Sequence, residues 1–239
     1  MTTTPATAAV FGCTGAVGSQ ILATLLTTEQ FQSVNTISRR LPNNRSPKLQ
    51  SLQEPDIFKW ADMISTLSPN PTTVFNVVGT MGNAPGGLAN QWKIDHDSVI
   101  ENAKAAKAAG VKTYIFISSG GTRSLLWGWV PYSRMKVGVE NAIKATDFET
   151  AIVLHPGMII GREKAKLVFL ERFMEGLNKL GQGVQDKIGM VLITLTIVTV
   201  IGRAAVAAAR MAEAGNAPSK YWVVEQPDII RLGKDEWKM

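Results

Sequence analysis

A glycine-rich turn near the start of the chain constrains its fold most strongly. Residues 8–11 form a short apolar run that predicts a buried strand, and residues 19–26 carry apolar side chains at helical spacing. The turn over residues 12–18 joins the two segments. A strand, a glycine-rich turn and a helix in this order are typical of a phosphate-binding βαβ unit, whereas the glycines alone are weak evidence.

The three glycines of this turn have distinct physical roles in such a unit. Gly12 permits a tight turn, Gly15 lets backbone N–H groups approach a pyrophosphate, and Gly18 allows the helix to pack closely on the strand. The positive N-terminal end of the helix then faces the phosphates. We therefore predict a dinucleotide-binding turn; an ordinary glycine-rich turn is the alternative.

Apolar runs and helical patterns alternate along the rest of the chain. This alternation predicts a single α/β domain over residues 1–239: a Rossmann-type, doubly wound parallel sheet with helices on both faces. Its substrate-side portion is expected mainly from residues 155–239. Further strands are predicted over 34–38, 73–78, 114–118, 151–154 and 221–224, and further helices over 95–109, 132–145, 167–180 and 203–214.

Composition excludes several classes of protein. The apolar fraction of 45% and charged fraction of 18% suit a globular chain, and one cysteine with two histidines leaves too few ligands for a disulfide framework or a structural metal. A net charge of +6 favours anionic partners, either phosphorylated small molecules or a negatively charged membrane surface. Because the basic residues are scattered, nucleic acid is not expected as a partner. The uncharged stretch 188–202 is shorter than the roughly 20 residues that span a bilayer.

Two arginines at the end of the second predicted strand indicate which dinucleotide binds. At this position an acidic residue typically contacts the ribose of NAD, whereas a basic residue accommodates the 2′-phosphate of NADP. Arg39 and Arg40 stand there without a neighbouring acid. They therefore favour NADP(H); a pair of solvated surface arginines is the alternative.

A tyrosine and a lysine at helical spacing suggest proton transfer. Ser118 and Ser119 close the strand over 114–118, and Tyr132 and Lys136 follow, one helical turn apart. A lysine ammonium beside a phenol favours the phenolate, which makes the tyrosine a usable general acid or base near neutral pH. A nearby serine hydroxyl could hold the substrate oxygen while the proton moves.

Several longer motifs give these elements a specific resemblance. Together they resemble the short-chain dehydrogenase/reductase superfamily in its atypical or extended branch, and within it the fungal found-in-mitochondrial-proteome protein family, itself similar to the animal Tat-interactive oxidoreductase. The motifs are Ser-Arg-Arg-Leu-Pro at 38–42, Gln-Trp-Lys-Ile-Asp-His-Asp at 91–97, Ser-Ser-Gly-Gly-Thr at 118–122, Pro-Gly-Met-Ile-Ile-Gly at 156–161 and Arg-Leu-Gly-Lys-Asp-Glu-Trp at 231–237.

The resemblance implies a location and a set of site residues. It implies a peripheral protein of the mitochondrial outer membrane, with a cytoplasmic protein as the alternative, and it implies no particular substrate. By position, Ser119, Tyr132 and Lys136 would form the catalytic triad. The cofactor site would comprise Gly12, Thr14, Gly15, Val17, Gly18, Arg39, Arg40, Pro156 and Gly157, with the last two against the nicotinamide.

Two functions remain open from the sequence. The first is an NADP(H)-dependent oxidoreductase acting on a carbonyl or alcohol substrate, and the second is a non-catalytic NADP(H)-binding regulator or scaffold. The Tyr132 and Lys136 pair favours the enzyme. Asp95 is expected to cap a helix, and His155 is expected to be hydrogen-bonded at the end of a strand. The β-branched segment 189–201 could be a buried strand, a surface that touches a membrane, or an error in the predicted coding sequence.

Overall fold

The computed structural model describes residues 6–80, 85–124, 129–157, 159–160 and 196–238. The strands are β1 (Ala6–Phe11), β2 (Phe31–Ser38), β3 (Leu49–Gln53), β4 (Thr73–Asn76), β5 (Thr113–Ile117), β6 (Thr150–His155), β7 (Ile159–Ile160), β8 (Thr196–Ile197) and β9 (Tyr221–Glu225). The helices are α1 (Ala16–Thr27), α2 (Trp60–Met63), α3 (Gly87–Trp92), α4 (Ser98–Ala108), α5 (Pro131–Thr146), α6 (Val198–Glu213) and α7 (Gln226–Ile230).

Seven of the strands form one parallel sheet. Their order is β3-β2-β1-β4-β5-β6-β9, and β7 pairs with β8 in a separate two-stranded sheet. The chain moves outward from β1 in one direction and then outward from β4 in the other, so a crevice forms at the carboxyl ends of β1 and β4. The predicted Rossmann-type doubly wound sheet is therefore confirmed.

The core lies on both faces of this sheet because alternate strand residues point to opposite sides. Ala8 and Val10 of β1 join a cluster formed with α1 and α6, whereas Phe11 joins the cluster formed with α2, α4 and α5. Between α1 and α6 the packing is close: a Cβ added to Gly202 would lie 2.9 Å from the Gln20 Cβ. Helices thus cover both faces, as predicted.

The structure differs from the sequence prediction in several elements. The edge strand β3 is absent from the sequence prediction, because its sequence Leu-Gln-Ser-Leu-Gln is mostly polar and largely solvent-facing. The helix expected from residue 95 begins at Gly87 and continues through a π-helical turn, Lys93–Asp97, into α4. The strand predicted over 73–78 ends at Asn76, and residues 77–78 enter a loop at the crevice.

The end of the apolar segment 189–201 belongs to the core. Helix α6 starts at Val198, and Val198 and Ile201 are buried against the sheet. Residues 189–195 and the predicted helix over 167–180 lie outside the described residues. Within the described part of the chain, the helices are too short or too polar to cross a membrane.

Candidate functional site

The glycine-rich turn is held by close backbone contacts that a side chain would prevent. Gly12 has a φ of +80°, and a Cβ added to it would lie 2.8 Å from the Val77 carbonyl oxygen. A Cβ added to Gly18 would collide with the Gly12 carbonyl oxygen. The Gly15 N–H donates to that same oxygen at 3.0 Å. The backbone therefore requires glycine at positions 12 and 18.

The first turn of α1 has the properties of an anion-binding site. Gly15 precedes the helix as its N-cap and supplies no side-chain cap, and the first turn contains no acidic residue. The backbone N–H groups at a helix start have no partner within the helix, and the helix dipole favours negative charge there. The turn and the helix start therefore fit a pyrophosphate.

A cavity of about 620 Å³ opens at this helix start. It lies at the carboxyl ends of β1, β4 and β5, where open α/β sheets bind their ligands. The predicted residues Thr14, Gly15, Val17, Gly18, Arg40, Tyr132 and Lys136 all line it, together with Ala16, Ser19, Val77, Val78, Gly79, Thr80, Asp95, Ile117, Ser118 and Ile159.

Arg39 and Arg40 follow β2 at one end of this cavity. The Ser38 hydroxyl donates to the Arg40 carbonyl at 2.7 Å, and the Gln53 side chain donates to the Arg39 carbonyl at 3.3 Å. Arg40 also lines a neighbouring hollow of about 370 Å³ with Thr14, and both arginines line a further hollow of about 160 Å³. Among the described residues around these two hollows, none is acidic.

Tyr132 and Lys136 share one face of α5 at the other end of the cavity. Tyr132 is 38% exposed, whereas Lys136 is buried. The Lys136 ammonium donates to the Ile117 carbonyl at 3.2 Å and lies 4.7 Å from the Phe116 ring centre and 5.9 Å from the Tyr132 ring centre. Its charge is thus fixed beside the phenol, as the four-residue spacing suggests.

The two serines after β5 face different surroundings. Ser118 is buried, lines the cavity and donates its hydroxyl hydrogen to Glu140. Ser119 is half-buried and is not among the described residues that line the cavity. The catalytic role of Ser119 stays a prediction.

Pro156 and Gly157 follow β6 at the same edge of the sheet. The Gly120 N–H donates to the Pro156 carbonyl at 2.8 Å, and the Gly157 N–H donates to the Gln226 side chain at 2.8 Å. Ile159, two residues further on, lines the described cavity, and Pro156 and Gly157 are not among its lining residues. Their contact with a nicotinamide also stays a prediction.

Asp95 does not cap a helix, so that expectation is wrong. It lies inside the π-helical turn, is almost fully buried, and accepts hydrogen bonds from the Thr80 N–H at 2.8 Å and the Thr80 hydroxyl at 2.9 Å. The helix begins well before residue 95, so the first-turn position that a cap needs does not exist there. Asp95 instead fixes the loop after β4 on the cavity wall.

Glu140 is a site residue that sequence reasoning missed. Its side chain is 1% exposed, and it accepts hydrogen bonds from Ser118, from the Arg123 guanidinium at 3.1 Å and from His155 Nε2 at 2.9 Å. His155 also contacts Glu225, so the expectation that it is hydrogen-bonded at a strand end is confirmed. The available signal was the repeat of Tyr132, Lys136 and Glu140 at four-residue spacing.

Relatives of known sequence match nearly the whole chain. Protein fmp52-2, mitochondrial, of Aspergillus oryzae is 68% identical over 232 residues, which cover 97% of this chain and 99% of the relative. Protein fmp-52, mitochondrial, of Neurospora crassa is 50% identical over 99% of each chain. The profile of the NAD dependent epimerase/dehydratase family matches residues 8–125, from β1 to just beyond β5.

Solved structures share the fold at low sequence identity. The enzyme WbmH of Bordetella bronchiseptica, solved with NAD+, superposes with a TM-score of 0.64 at 15% identity over 92% of this chain and 74% of its own. A short-chain dehydrogenase/reductase superfamily protein of Agrobacterium tumefaciens with bound NAD has a TM-score of 0.64 at 15% identity, over 97% and 93%. The resemblance found in the sequence motifs is confirmed by the close relatives, and the chain belongs to the fungal Fmp52 protein family.

Proposed function

We propose that this chain is an NADP(H)-dependent oxidoreductase of the short-chain dehydrogenase/reductase type, acting on a carbonyl or alcohol substrate. One observation carries the proposal: a single cavity is lined at one end by the start of α1 and Arg40 and at the other by Tyr132 and Lys136. The proposed anion site at the start of α1 and the proposed proton donor Tyr132 therefore line the same cavity. The family profile and the NAD-bound structural neighbours support a nicotinamide dinucleotide.

The choice of NADP over NAD rests on charge at the end of β2. Arg39 and Arg40 border hollows whose described walls hold no acid, so a 2′-phosphate would gain two guanidinium partners. A bare ribose would find no carboxylate for its hydroxyl groups there. The neighbours solved with NAD differ from this chain at more than three quarters of their aligned positions, so they support the fold and do not decide between NAD and NADP.

The proton-transfer step follows from the geometry of α5. A nicotinamide dinucleotide, when bound, would supply the hydride chemistry at a carbonyl or alcohol carbon. In the reductive direction, Tyr132 donates its hydroxyl proton to the carbonyl oxygen, and the resulting phenolate is stabilised by the Lys136 ammonium beside it. The products are an alcohol and a phenolate, which regains its proton from water.

A second hydroxyl is proposed to hold the substrate oxygen. Ser118 already gives its hydrogen to Glu140, so it can accept a hydrogen bond but cannot donate one to a carbonyl. Ser119 follows Ser118 directly, and the described hydrogen bonds to the Glu140 carboxylate do not include its hydroxyl. We therefore assign the donation to Ser119.

A titration and a turnover assay test this proposal together. The fluorescence of NADPH should change when the wild-type protein binds it. The wild-type protein should also turn over at least one member of a panel of aldehydes and ketones. Tyr132→Phe should bind NADPH with unchanged Kd and lose turnover by about 100- to 10,000-fold, the usual contribution of acid–base catalysis. Unchanged turnover in Tyr132→Phe contradicts the proton-transfer role. Binding of NADPH without turnover by wild type favours the non-catalytic regulator or scaffold.

We also propose peripheral contact with the mitochondrial outer membrane, with no nucleic-acid partner. The relatives are named mitochondrial, the net charge is +6, and Trp129 is 85% exposed beside the exposed Val130. Tryptophan favours a membrane interface because its ring is amphipathic. In flotation with anionic liposomes, Trp129→Ser should reduce the bound fraction several-fold, whereas Phe58→Ser, a change at another exposed aromatic residue, should not. Equal loss in both variants contradicts a defined contact.

A further inference from the structure

A buried charged cluster lies directly behind the wall of the cavity. Glu140 is one helical turn beyond Lys136 and two turns beyond Tyr132 on α5. One of its carboxylate oxygens, Oε1, accepts from both the Ser118 hydroxyl and His155 Nε2, and the other, Oε2, accepts from Arg123. The carboxylate therefore joins α5 to the ends of β5 and β6.

The contacts of His155 require a protonated ring. Its Nε2 lies 2.9 Å from a Glu140 oxygen and its Nδ1 lies 3.0 Å from a Glu225 oxygen. An ionised carboxylate only accepts hydrogen bonds, and a neutral imidazole carries only one N–H. Both contacts are hydrogen bonds only when the ring is an imidazolium. The other titratable groups of the cluster are Arg123, on the loop after β5, and Tyr221 of β9, whose hydroxyl donates to the Glu140 carbonyl at 3.4 Å.

The cluster reaches the reaction centre through two adjacent residues, the last residue of β5 and the serine that follows it. The Ser118 hydroxyl, on the cavity wall, donates to Glu140, and the carbonyl of the preceding Ile117 accepts from the Lys136 ammonium. The strand end is therefore held by two side chains of α5, at positions 136 and 140. Any rotation of α5 about its axis would break both contacts, and it would move Tyr132 on the same face.

We propose that Glu140 is a positioning residue for Tyr132 and Lys136, and that the His155 imidazolium holds it in place. This inference rests on the proposed function, because it concerns the same reaction centre. Glu140 is not among the described residues that line the cavity; it fixes the orientation of α5 over the end of β5. Loss of the positive charge on His155 leaves Glu140 with Arg123 as its only cationic partner in the cluster, and the positioning weakens.

The ionisation of both groups agrees with this arrangement. Burial alone would raise the pKa of Glu140, but the hydrogen bonds from His155 and Ser118 and the charges of His155 and Arg123 bring it below its ordinary value. Burial alone would lower the pKa of His155, but Glu140 and Glu225 raise it above its ordinary 6.5. Both shifts therefore favour the charged forms of the two side chains.

A titration without substrate tests the pair itself. The chain has only two histidines, so the His155→Gln variant assigns the ring signals in an NMR titration of the full-length protein. The pKa of His155 should lie above 6.5 in wild type and should fall in Glu140→Gln. Glu213→Gln is the matched control, because Glu213 accepts hydrogen bonds from Thr72 and Thr73 at the amino end of the central strand β4, away from the cavity. An unchanged His155 titration in Glu140→Gln overturns the inference.

Kinetics on a carbonyl that wild type reduces test the positioning role. Glu140→Gln should lower kcat by about tenfold or more while KM and the NADPH Kd stay within about twofold, since a small displacement of Tyr132 affects the chemical step most. Glu140→Asp, which keeps the charge, should restore part of the loss and also serves if the glutamine variant fails to fold. Wild-type kcat should fall as His155 loses its proton, and His155→Lys should lack this limb of the pH profile.

The outcomes separate this inference from the proposed function. Wild-type kcat values in folded Glu140→Gln, or a pH limb that persists in His155→Lys, overturn the positioning role while the oxidoreductase stands. Absence of NADPH-dependent turnover in wild type overturns the proposed function, and the NMR titration then still reports whether Glu140 and His155 form the pair.

Discussion

The two ends of the cavity are built in different ways. The end proposed to bind the dinucleotide comes from short continuous segments, the turn over residues 12–18 and the arginines after β2. The proposed proton-transfer end depends on contacts between distant residues: Ser118 with Glu140, 22 residues apart, and His155 with Glu225, 70 residues apart. Backbone geometry thus defines one end, and side-chain pairing across the fold defines the other.

The largest effect is expected on stability, from a substitution in the glycine-rich turn over residues 12–18. Gly18→Ala places a methyl group against the Gly12 carbonyl oxygen, so we expect a loss of about 2–3 kcal/mol in the free energy of unfolding, as for other overpacked sites. This corresponds to a fall in Tm of roughly 4–12 °C for a domain of this size. Calorimetry measures it. Gly79→Ala is the control, because its added Cβ meets nothing within 4 Å. Equal Tm values for the two variants contradict the requirement for glycine at 18.

Removal of the arginines should affect binding and leave the fold intact. Arg39→Ala combined with Arg40→Ala removes two exposed guanidinium groups, so NADPH affinity should fall by about 30-fold while NADH affinity stays within about twofold. Fluorescence titration with both dinucleotides gives the ratio. Exposed Arg45→Ala is a matched control that keeps both affinities. A parallel loss for NADPH and NADH shows that the arginines do not read the 2′-phosphate.

At the proton-transfer end, Lys136 should control the ionisation of Tyr132. The other two tyrosines titrate late: burial and the Glu140 charge raise the pKa of Tyr221 to about 12, and burial raises the pKa of Tyr114 further. The first rise of tyrosinate absorbance with pH should therefore belong to Tyr132. In Lys136→Met it should move up by about one pH unit, because the neighbouring cation is lost.

A lysine on the same helix provides the control for this titration. Lys144 lies 5.5 Å from the Tyr221 ring centre, so Lys144→Met should leave the first absorbance step in place. Tyr132→Phe should abolish that step. If the step stays at its wild-type pH in Lys136→Met, the ammonium does not act on the phenol.

The smallest expected effect is a pH dependence of stability. The pKa of His155 is raised in the folded state, so its contribution is complete below 6.5 and is lost as pH rises through the raised value. The pKa of Glu140 is lowered, so its contribution is present above 4.5 and is lost as pH falls through the lowered value. Between pH 4.5 and 6.5 the Tm of wild type should exceed that of His155→Gln by a few degrees. This difference in Tm should become smaller as the pH is raised above the pKa of His155. A difference that grows with rising pH would have the wrong sign.

The sequence predicted those parts of the site that one turn or one helix contains. Gly12, Gly15 and Gly18 follow a strand directly, and Tyr132 and Lys136 are one helical turn apart, so local geometry fixes their relative positions. The hydrogen bond between Asp95 and Thr80 could not be predicted from the sequence, because Thr80 lies across a loop from Asp95. Strand β3 was missed because an edge strand with few buried side chains carries little apolar pattern.

The sequence by itself determined the alternation of strands and helices, the glycine-rich turn between the first strand and helix, and the tyrosine and lysine on one helix face. Only the tertiary structure determined which charged side chains form hydrogen-bonded pairs. Strand β9 returns beside β6 and pairs with it in parallel, and the register sets His155 opposite Glu225. α5 then brings Glu140 to the other side of the same ring. The physical reason is that spacing along the backbone fixes neighbours within a few residues, whereas sheet order and register select neighbours that are far apart in the chain.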